Sequence, residues 1–138
     1  MSYKYLEHST DAFIEVKAKN LEEAFSVAGK SVVETIIDLE NIQEIEEKSI
    51  KVKGRNLLNL LYNWLEEIVT ITITDGFAIK KFTVNIKKNT EYEIISKVSG
   101  EKLDLKKHNF KIEIKSPTFH LMEIKENDEV TMQYLLDL

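Results

Sequence analysis

The spacing of apolar residues changes near residue 77, and this change constrains the fold more than any other feature of the sequence. Before it, apolar residues recur at helical spacing in two stretches, 20–38 and 56–69. After it, apolar and polar residues alternate, as in half-buried strands, in runs near 82–86, 92–96, 110–116, 119–126 and 129–136. Helices followed by strands predict an α+β fold in which two helices pack on one face of a mostly antiparallel or mixed sheet.

Each helical stretch begins at an asparagine that can cap it. Asn20 is followed three residues later by Glu23, which is an asparagine variant of the capping box, and Asn56 precedes the second apolar stripe. Residues 70–76, TITITDG, are ambiguous, because β-branched residues favour a strand whereas continuity with the stripe favours the end of the helix. Two shorter strands are expected before the helices, at 12–18 and 50–54.

Composition limits the classes of protein to which this chain can belong. With 138 residues it is expected to form a single domain, 1–138, and it has no cysteine for disulfides or thiolate metal sites. It has no apolar run of membrane-spanning length and no signal-peptide pattern, so we expect a cytoplasmic protein. The net charge of -5 and the single arginine, Arg55, argue against broad nucleic-acid binding and against a phosphate clamp built from arginines.

The segment 100–120 concentrates unusual residues, including two of the three histidines and the only proline. Alternation over 110–116 predicts a strand whose inward-facing side chains are Phe110, Ile112 and Ile114. The same alternation turns Lys115 outward. Pro117 cannot donate to a strand ladder, so the strand is expected to end there or to lie at a sheet edge.

Carboxylates near the two ends of the chain are candidate metal ligands. Calcium and magnesium prefer oxygen donors, and Asp11, Asp137 and the terminal group of Leu138 would supply three oxygen sources if the ends meet. We therefore predict that the two chain ends lie side by side. In the alternative interpretation Asp11 caps a turn and Asp137 belongs to a solvated tail.

The histidines alone do not indicate a catalytic or metal site. His8, His108 and His120 are too scattered for a metal signature, and no metalloprotease, phosphate-binding-loop or nucleophile-elbow motif occurs. Ser9 and Thr10 lie beside His8, but the sequence indicates no orienting group or oxyanion donors. The residue chemistry therefore leads only to an α+β domain with a candidate oxygen-ligand metal site.

Taken in order, motifs across nearly the whole chain resemble the archease family. The most similar segments are His8-Ser9-Thr10-Asp11, 20–25, Ile37-Asp38, 56–61, 64–67, Gly100-Glu101, Asp104, His108, 113–120 and Leu136-Asp137-Leu138. The chain departs from the family pattern at four positions, which are Thr10, Asn56, Ser116 and Phe119. The last of these stands where the family has tyrosine, so this chain lacks that phenolic hydroxyl.

This resemblance implies a two-layer archease-like fold and a protein that is not itself an enzyme. Archeases activate the RtcB-type tRNA-splicing ligase, promoting its guanylation and multiple turnover, so contact with RNA is expected only through the ligase. The resemblance further implies a divalent metal, calcium in the first place and magnesium or manganese as alternatives, at Asp11, Asp137 and Leu138. It implies roles in activating the partner for Lys115, Asp38 and His120.

A second function class remains open from the sequence. The same carboxylates could hold a metal for a stand-alone nucleotide hydrolase or phosphotransferase. The absence of a phosphate-binding loop and of arginines beyond Arg55 favours the activator. A general chaperone would need a large exposed apolar patch, which a sequence does not reveal.

Overall fold

Two helices and seven strands make up the described part of the chain. The computed structural model describes residues 1–6 and 11–138. The strands are β1 (Ser2–Leu6), β2 (Asp11–Ala18), β3 (Glu46–Gly54), β4 (Phe77–Lys88), β5 (Tyr92–Lys102), β6 (Ser116–Glu126) and β7 (Val130–Asp137). The helices are α1 (Leu21–Ile36) and α2 (Leu57–Val69), and α2 continues into a π-helical turn at Thr70–Thr74. Neither helix is long and apolar enough to cross a membrane.

The strands divide into two sheets, and each observed pairing is antiparallel. One sheet has the order β1-β2-β7-β6 and the other the order β3-β5-β4. Helix α1 packs against β2, β4 and α2, and α2 packs against β3 and β6, so each helix contacts both sheets and the elements share one core. The predicted α+β class is confirmed.

Local sequence signals account for the helix boundaries. The Oδ1 atom of Asn20 accepts the backbone N–H of Glu23 at 2.8 Å, and Asn56 caps Asn59 in the same way at 2.9 Å. Residues 70–74, which were ambiguous in the sequence, continue the helix as a π turn rather than forming a strand. Both predicted caps are confirmed.

The core is centred on the contact between the two helices. The Trp64 side chain on α2 is fully buried, and its Nε1–H donates to the main-chain oxygen of Phe25 on α1 at 2.8 Å. The ring of Phe82 on β4 meets Trp64 edge to face at 6.0 Å. Trp64 is therefore a core residue.

The predicted strand at 110–116 is wrong. Residues 103–115, here named the connecting segment, contain no strand, and β6 begins only at Ser116. Phe110 and Ile112 are 37% and 40% exposed, and only Ile114 is buried, at 2%. The prediction failed because a strand needs a neighbouring ladder, whereas the N–H of Lys111 donates to an oxygen at the end of α1.

Two further boundaries differ from the sequence interpretation. Strand β1 was not predicted, and among the described strands it pairs with β2 alone, at the edge of its sheet, where most of its side chains remain accessible. Strand β3 begins at Glu46 rather than near residue 50, because its first four residues are exposed on an edge strand and carry no apolar alternation. The acidic residues Glu46 and Glu47 therefore lie in a strand.

Strand β6 is an edge strand with a large irregularity. Pro117 lies in it opposite Leu136, so its predicted place at an edge is confirmed. Pairing passes from Thr118 opposite Leu135 to Glu123 opposite Gln133, so the four residues 119–122 face a single residue of β7. Of these four, Phe119, His120 and Leu121 are exposed, and Leu121 has a φ of 60°.

Candidate functional site

The two candidate carboxylate residues, Asp11 and Asp137, lie on neighbouring strands at one end of the larger sheet. Asp11 begins β2 and Asp137 ends β7, and the antiparallel register places these residues directly opposite each other. Because adjacent strands are separated by about 5 Å, the two residues are neighbours across the sheet. The prediction that Asp11 and Asp137 lie side by side on neighbouring strands is confirmed, and an ion shared by the two residues stays a prediction.

A pocket of about 540 Å³ opens at this end of the sheet. It is lined by Asp11, Tyr62, Ser116, Pro117, Thr118, Phe119, His120, Leu135 and Asp137. The pocket therefore combines two carboxylates and an imidazole with an apolar wall. The rings of Tyr62 and Phe119 form part of that wall, stacked with centroids 4.4 Å apart and planes 11° from parallel. Phe119 keeps the aromatic contact without a hydroxyl.

The irregularity in β6 directs His120 toward solvent beside this pocket. The backbone N–H of His120 donates to Oγ1 of Thr118 at 3.1 Å, which turns the chain away from the ladder. Gln133 on β7 donates from its side chain to the main-chain oxygen of Leu121 at 2.9 Å. These two bonds give the bulged residues a defined backbone course.

Lys115 adjoins the pocket through its main chain. Its backbone N–H donates to the main-chain oxygen of Asp137 at 2.8 Å, while its side chain is exposed. The preceding residue, Ile114, is buried at 2% exposure and anchors the segment to the core. The next residue along from Asp137, Leu138, is half-buried against the same core and does not line the pocket.

Asp38 lies away from the pocket, just after the end of α1. Its carboxylate accepts a hydrogen bond from the Asn109 side chain at 2.8 Å and pairs with the Lys111 ammonium at 3.2 Å. These bonds hold the pKa of Asp38 below its ordinary value, and the bond from Asn109 has the largest effect. Asp38 is therefore bound to the connecting segment rather than grouped with Asp11, Asp137 and His120.

A second polar cluster joins the end of β5 to the connecting segment. Glu101 is 8% exposed, and its carboxylate accepts from the backbone N–H of Gln43 at 2.9 Å and from Lys107 Nζ at 2.8 and 2.9 Å. His108, which is fully buried, contributes a further bond to Oε2 at 2.9 Å. The bond from Lys107, followed by those from Gln43 and His108, lowers the pKa of Glu101 to about 2.

The hydrogen bonds of His108 define its tautomer. The backbone N–H of Asp104 donates to Nδ1 at 3.0 Å, so this nitrogen carries no proton. Nε2 therefore carries the proton and donates to Glu101. Sequence reasoning missed this pair, because seven residues separate the two side chains and only the turn at 104–109 brings them together.

Three candidate residues, His8, Ser9 and Thr10, lie outside the described residues. Within 1–6 and 11–138, no three side chains of the His, Cys, Asp or Glu type form a group that could hold a metal ion. The carboxylates that line the pocket are those of Asp11 and Asp137.

The chain is similar to known proteins over its whole length. Residues 3–138 match the model of the Archease protein family (MTH1598/TM1083). Protein archease of Pyrobaculum islandicum is 34% identical over 141 residues, covering 100% of this chain and 96% of that protein. Protein archease of Methanopyrus kandleri is 32% identical, and the match covers all of both chains.

Two solved structures share the fold. The solution structure of Methanobacterium thermoautotrophicum protein 1598 superposes with a TM-score of 0.84 at 28% identity and covers 99% of this chain and 98% of that one. The crystal structure of a Thermotoga maritima protein described as an archease and possible chaperone gives a TM-score of 0.63 at 20% identity, with 98% and 96% covered.

Proposed function

This chain belongs to the archease family, and we propose that it activates an RtcB-type RNA ligase in tRNA splicing by promoting ligase guanylation and multiple turnover. One observation carries the proposal. Asp11, Asp137 and His120 line a single pocket, and the backbone of Lys115 is bonded to Asp137 beside it. Four of the six residues that the family resemblance marks as functional thus meet at one end of the sheet.

The donor set at this pocket fits a hard divalent cation. Two carboxylates in register on neighbouring strands offer the oxygen ligands that calcium and magnesium prefer. Asp11 and Asp137 would hold the ion from the pocket, and the family resemblance adds the terminal group of Leu138, the neighbour of Asp137, with calcium the first choice and magnesium or manganese the alternatives. The ion would supply positive charge that balances the two carboxylates at the exposed end of the sheet.

The groups beside the carboxylates are suited to contact a protein partner. Lys115 is exposed and carries a compact cation that can reach a carboxylate or a phosphate in the ligase active site. His120 can donate or accept a hydrogen bond, and the stacked rings of Tyr62 and Phe119 offer apolar contact next to it. These groups would order the partner's site, which contributes positioning rather than new bond chemistry.

The charge distribution favours a protein partner over direct RNA binding. The net charge is -5, and Arg55 is the only arginine, so this chain is poorly suited to hold a phosphate backbone. RNA contact is therefore assigned to the ligase, and we place the activity in the cytoplasm without membrane attachment. Ordering the active site of a partner would also suit the chaperone description of the Thermotoga maritima relative.

Labelled GTP distinguishes this proposal from a stand-alone nucleotide hydrolase or phosphotransferase. The ligase, this chain and their mixture are each incubated with labelled GTP and a divalent cation. An activator increases label on the ligase in the mixture and neither consumes GTP nor retains label alone. GTP consumed by this chain without the ligase, or label retained on it, would replace the activator by the hydrolase or phosphotransferase.

Replacing Lys115 tests whether its ammonium group is needed to activate the ligase. We expect Lys115→Ala to keep the unfolding temperature, because the side chain is exposed, and to abolish activation. Lys106→Ala is the matched control, since it removes an exposed lysine from the same segment. Equal activation by Lys115→Ala and the parent protein would refute the assigned role.

A further inference from the structure

We propose that Glu101 and His108 are positioning residues that hold the connecting segment so that Lys115 is presented beside Asp137. The inference depends on the proposed function only for the role of Lys115. The connecting segment, 103–115, has no helix or strand, yet it leads from the end of β5 to the pocket at the start of β6. Its course is determined by a series of specific contacts.

The first contact is the buried pair itself. His108 uses both ring nitrogens, accepting from the Asp104 backbone and donating to Glu101, and it is fully buried. Glu101 also receives Lys107 and the backbone of Gln43, so its carboxylate joins β5, the segment 41–45 and the turn at 104–109. Removing Glu101 would leave the buried Nε2–H of His108 without its acceptor, and removing His108 would leave the Asp104 backbone N–H without its acceptor, which opposes any other course of the backbone.

The second contact connects this pair to the end of α1. The main-chain oxygen of His108 accepts the backbone N–H of Asp38 at 2.9 Å. The next residue, Asn109, has a φ of 53° and donates from its side chain to the Asp38 carboxylate. The backbone N–H of Lys111 then donates to the oxygen of Ile36 at 2.7 Å. A fixed His108 thus aligns three bonds between the segment and residues 36–38, at and just after the end of α1.

The last contact places Lys115 beside Asp137. Phe110, Ile112 and Glu113 are exposed, so among the described residues the segment after Lys111 is held by the burial of Ile114 and by the bond from Lys115 to Asp137. Few packing contacts in this part mean that its order depends on the anchors upstream. Releasing His108 would therefore allow the segment to open locally, and Lys115 would leave Asp137 while the core stayed folded.

Variants of His108 separate positioning from general stability. His108→Gln keeps a side-chain N–H that can donate to Glu101, whereas His108→Leu has similar bulk and no donor. Hydrogen exchange of the Lys111 and Lys115 amides reports the course of the segment without any ligase, and the Leu65 amide in α2 reports the core. We expect about tenfold faster exchange at Lys111 and Lys115 in His108→Leu, with Leu65 unchanged.

Guanylation assays of the same variants read the functional consequence. At saturating activator, His108→Leu should lose activation as Lys115→Ala does, and His108→Gln should stay within about threefold of the parent protein. If His108→Leu does not fold, Glu101→Gln serves instead. The amide nitrogen of glutamine replaces one carboxylate oxygen and cannot accept a hydrogen bond, so part of the network with Lys107 and His108 is lost.

The outcomes distinguish this inference from the proposed function. Unchanged exchange at Lys115 in the donor-less variant, or full activation despite fast exchange, would overturn the positioning role. A parent protein that fails to activate the ligase would overturn the proposed function, and the exchange measurement would still decide whether Glu101 and His108 hold the segment.

Discussion

The hydrogen bond between the hydroxyls of Tyr134 and Ser31 predicts that removing one hydroxyl destabilises the protein more than removing the other. Tyr134 on β7 is fully buried, its pKa is raised by that burial, and its hydroxyl bonds to Oγ of Ser31 on α1. Ser31 itself donates to the main-chain oxygen of Ala28 at 2.7 Å. Because the serine proton is used there, Tyr134 must be the donor in the pair.

The two single deletions should therefore differ in cost. Tyr134→Phe removes a donor and leaves Ser31 bonded to Ala28, so it should cost about 1 kcal/mol of the free energy of unfolding. Ser31→Ala leaves the tyrosine hydroxyl buried without its partner, so it should cost about 2 kcal/mol. The double variant should cost less than the sum of the single ones by about 1 kcal/mol.

Urea and thermal unfolding of the four proteins measure these costs. For a chain of this size about 1 kcal/mol corresponds to roughly 3 °C in the unfolding temperature. Tyr3→Phe, which alters a half-buried tyrosine on β1, is the matched control and should change stability by less than about 0.5 kcal/mol. Strictly additive effects, or a larger cost for Tyr134→Phe than for Ser31→Ala, would refute the donor assignment.

Three further predictions concern pH, metal and packing. The pKa of Glu101 falls from an ordinary 4.5 to about 2 on folding, so its stabilising contribution is complete above pH 4.5 and is lost as pH falls toward 2. The gap in unfolding temperature between the parent protein and Glu101→Gln should therefore narrow over this range, and a constant gap would contradict the assignment. Calorimetric titration with calcium should give binding that Asp137→Asn abolishes and that Asp128→Asn, in the exposed turn before β7, retains; equal binding by both would remove Asp137 from the site. Gly100→Ala would place a Cβ atom 1.8 Å from the oxygen of Ala78, so it should lower the unfolding temperature strongly, and a neutral result would contradict the close approach of β4 and β5.

Local signals in the sequence predicted local structure well. The asparagines at 20 and 56 cap their helices because the interaction involves only residues three positions away. The place of Pro117 at an edge also followed from one chemical fact, since proline has no N–H to donate.

Structure that depends on distant partners was harder to predict. Alternation at 110–116 satisfied the strand pattern, but the Lys111 and Lys115 N–H groups bond to Ile36 and Asp137 instead of to a ladder. A pattern of side chains does not specify whether a neighbouring strand is available. The exposure of the Ile112 side chain therefore could not be predicted from the sequence.

The candidate site was predicted in part. The meeting of Asp11 with Asp137 followed from ligand chemistry, although 126 positions separate them. The resemblance grouped Asp38 with the activating residues, whereas its carboxylate is engaged by Asn109 and Lys111 of the connecting segment. Such assignments require tertiary contacts, because a shared motif does not say whether a side chain faces a partner or its own chain.

The edge formed by β6 resists the addition of a strand from another molecule. Pro117 offers no N–H, the residues 119–122 leave the ladder, and Leu121 bends the backbone through a left-handed conformation. Phe119 and Leu121 can therefore be exposed without seeding edge-to-edge polymers of this protein. Under the proposed function, recognition of the ligase at this end would use side chains rather than main-chain pairing, so substitutions at 119–121 would change the affinity for the ligase while leaving the sheet intact.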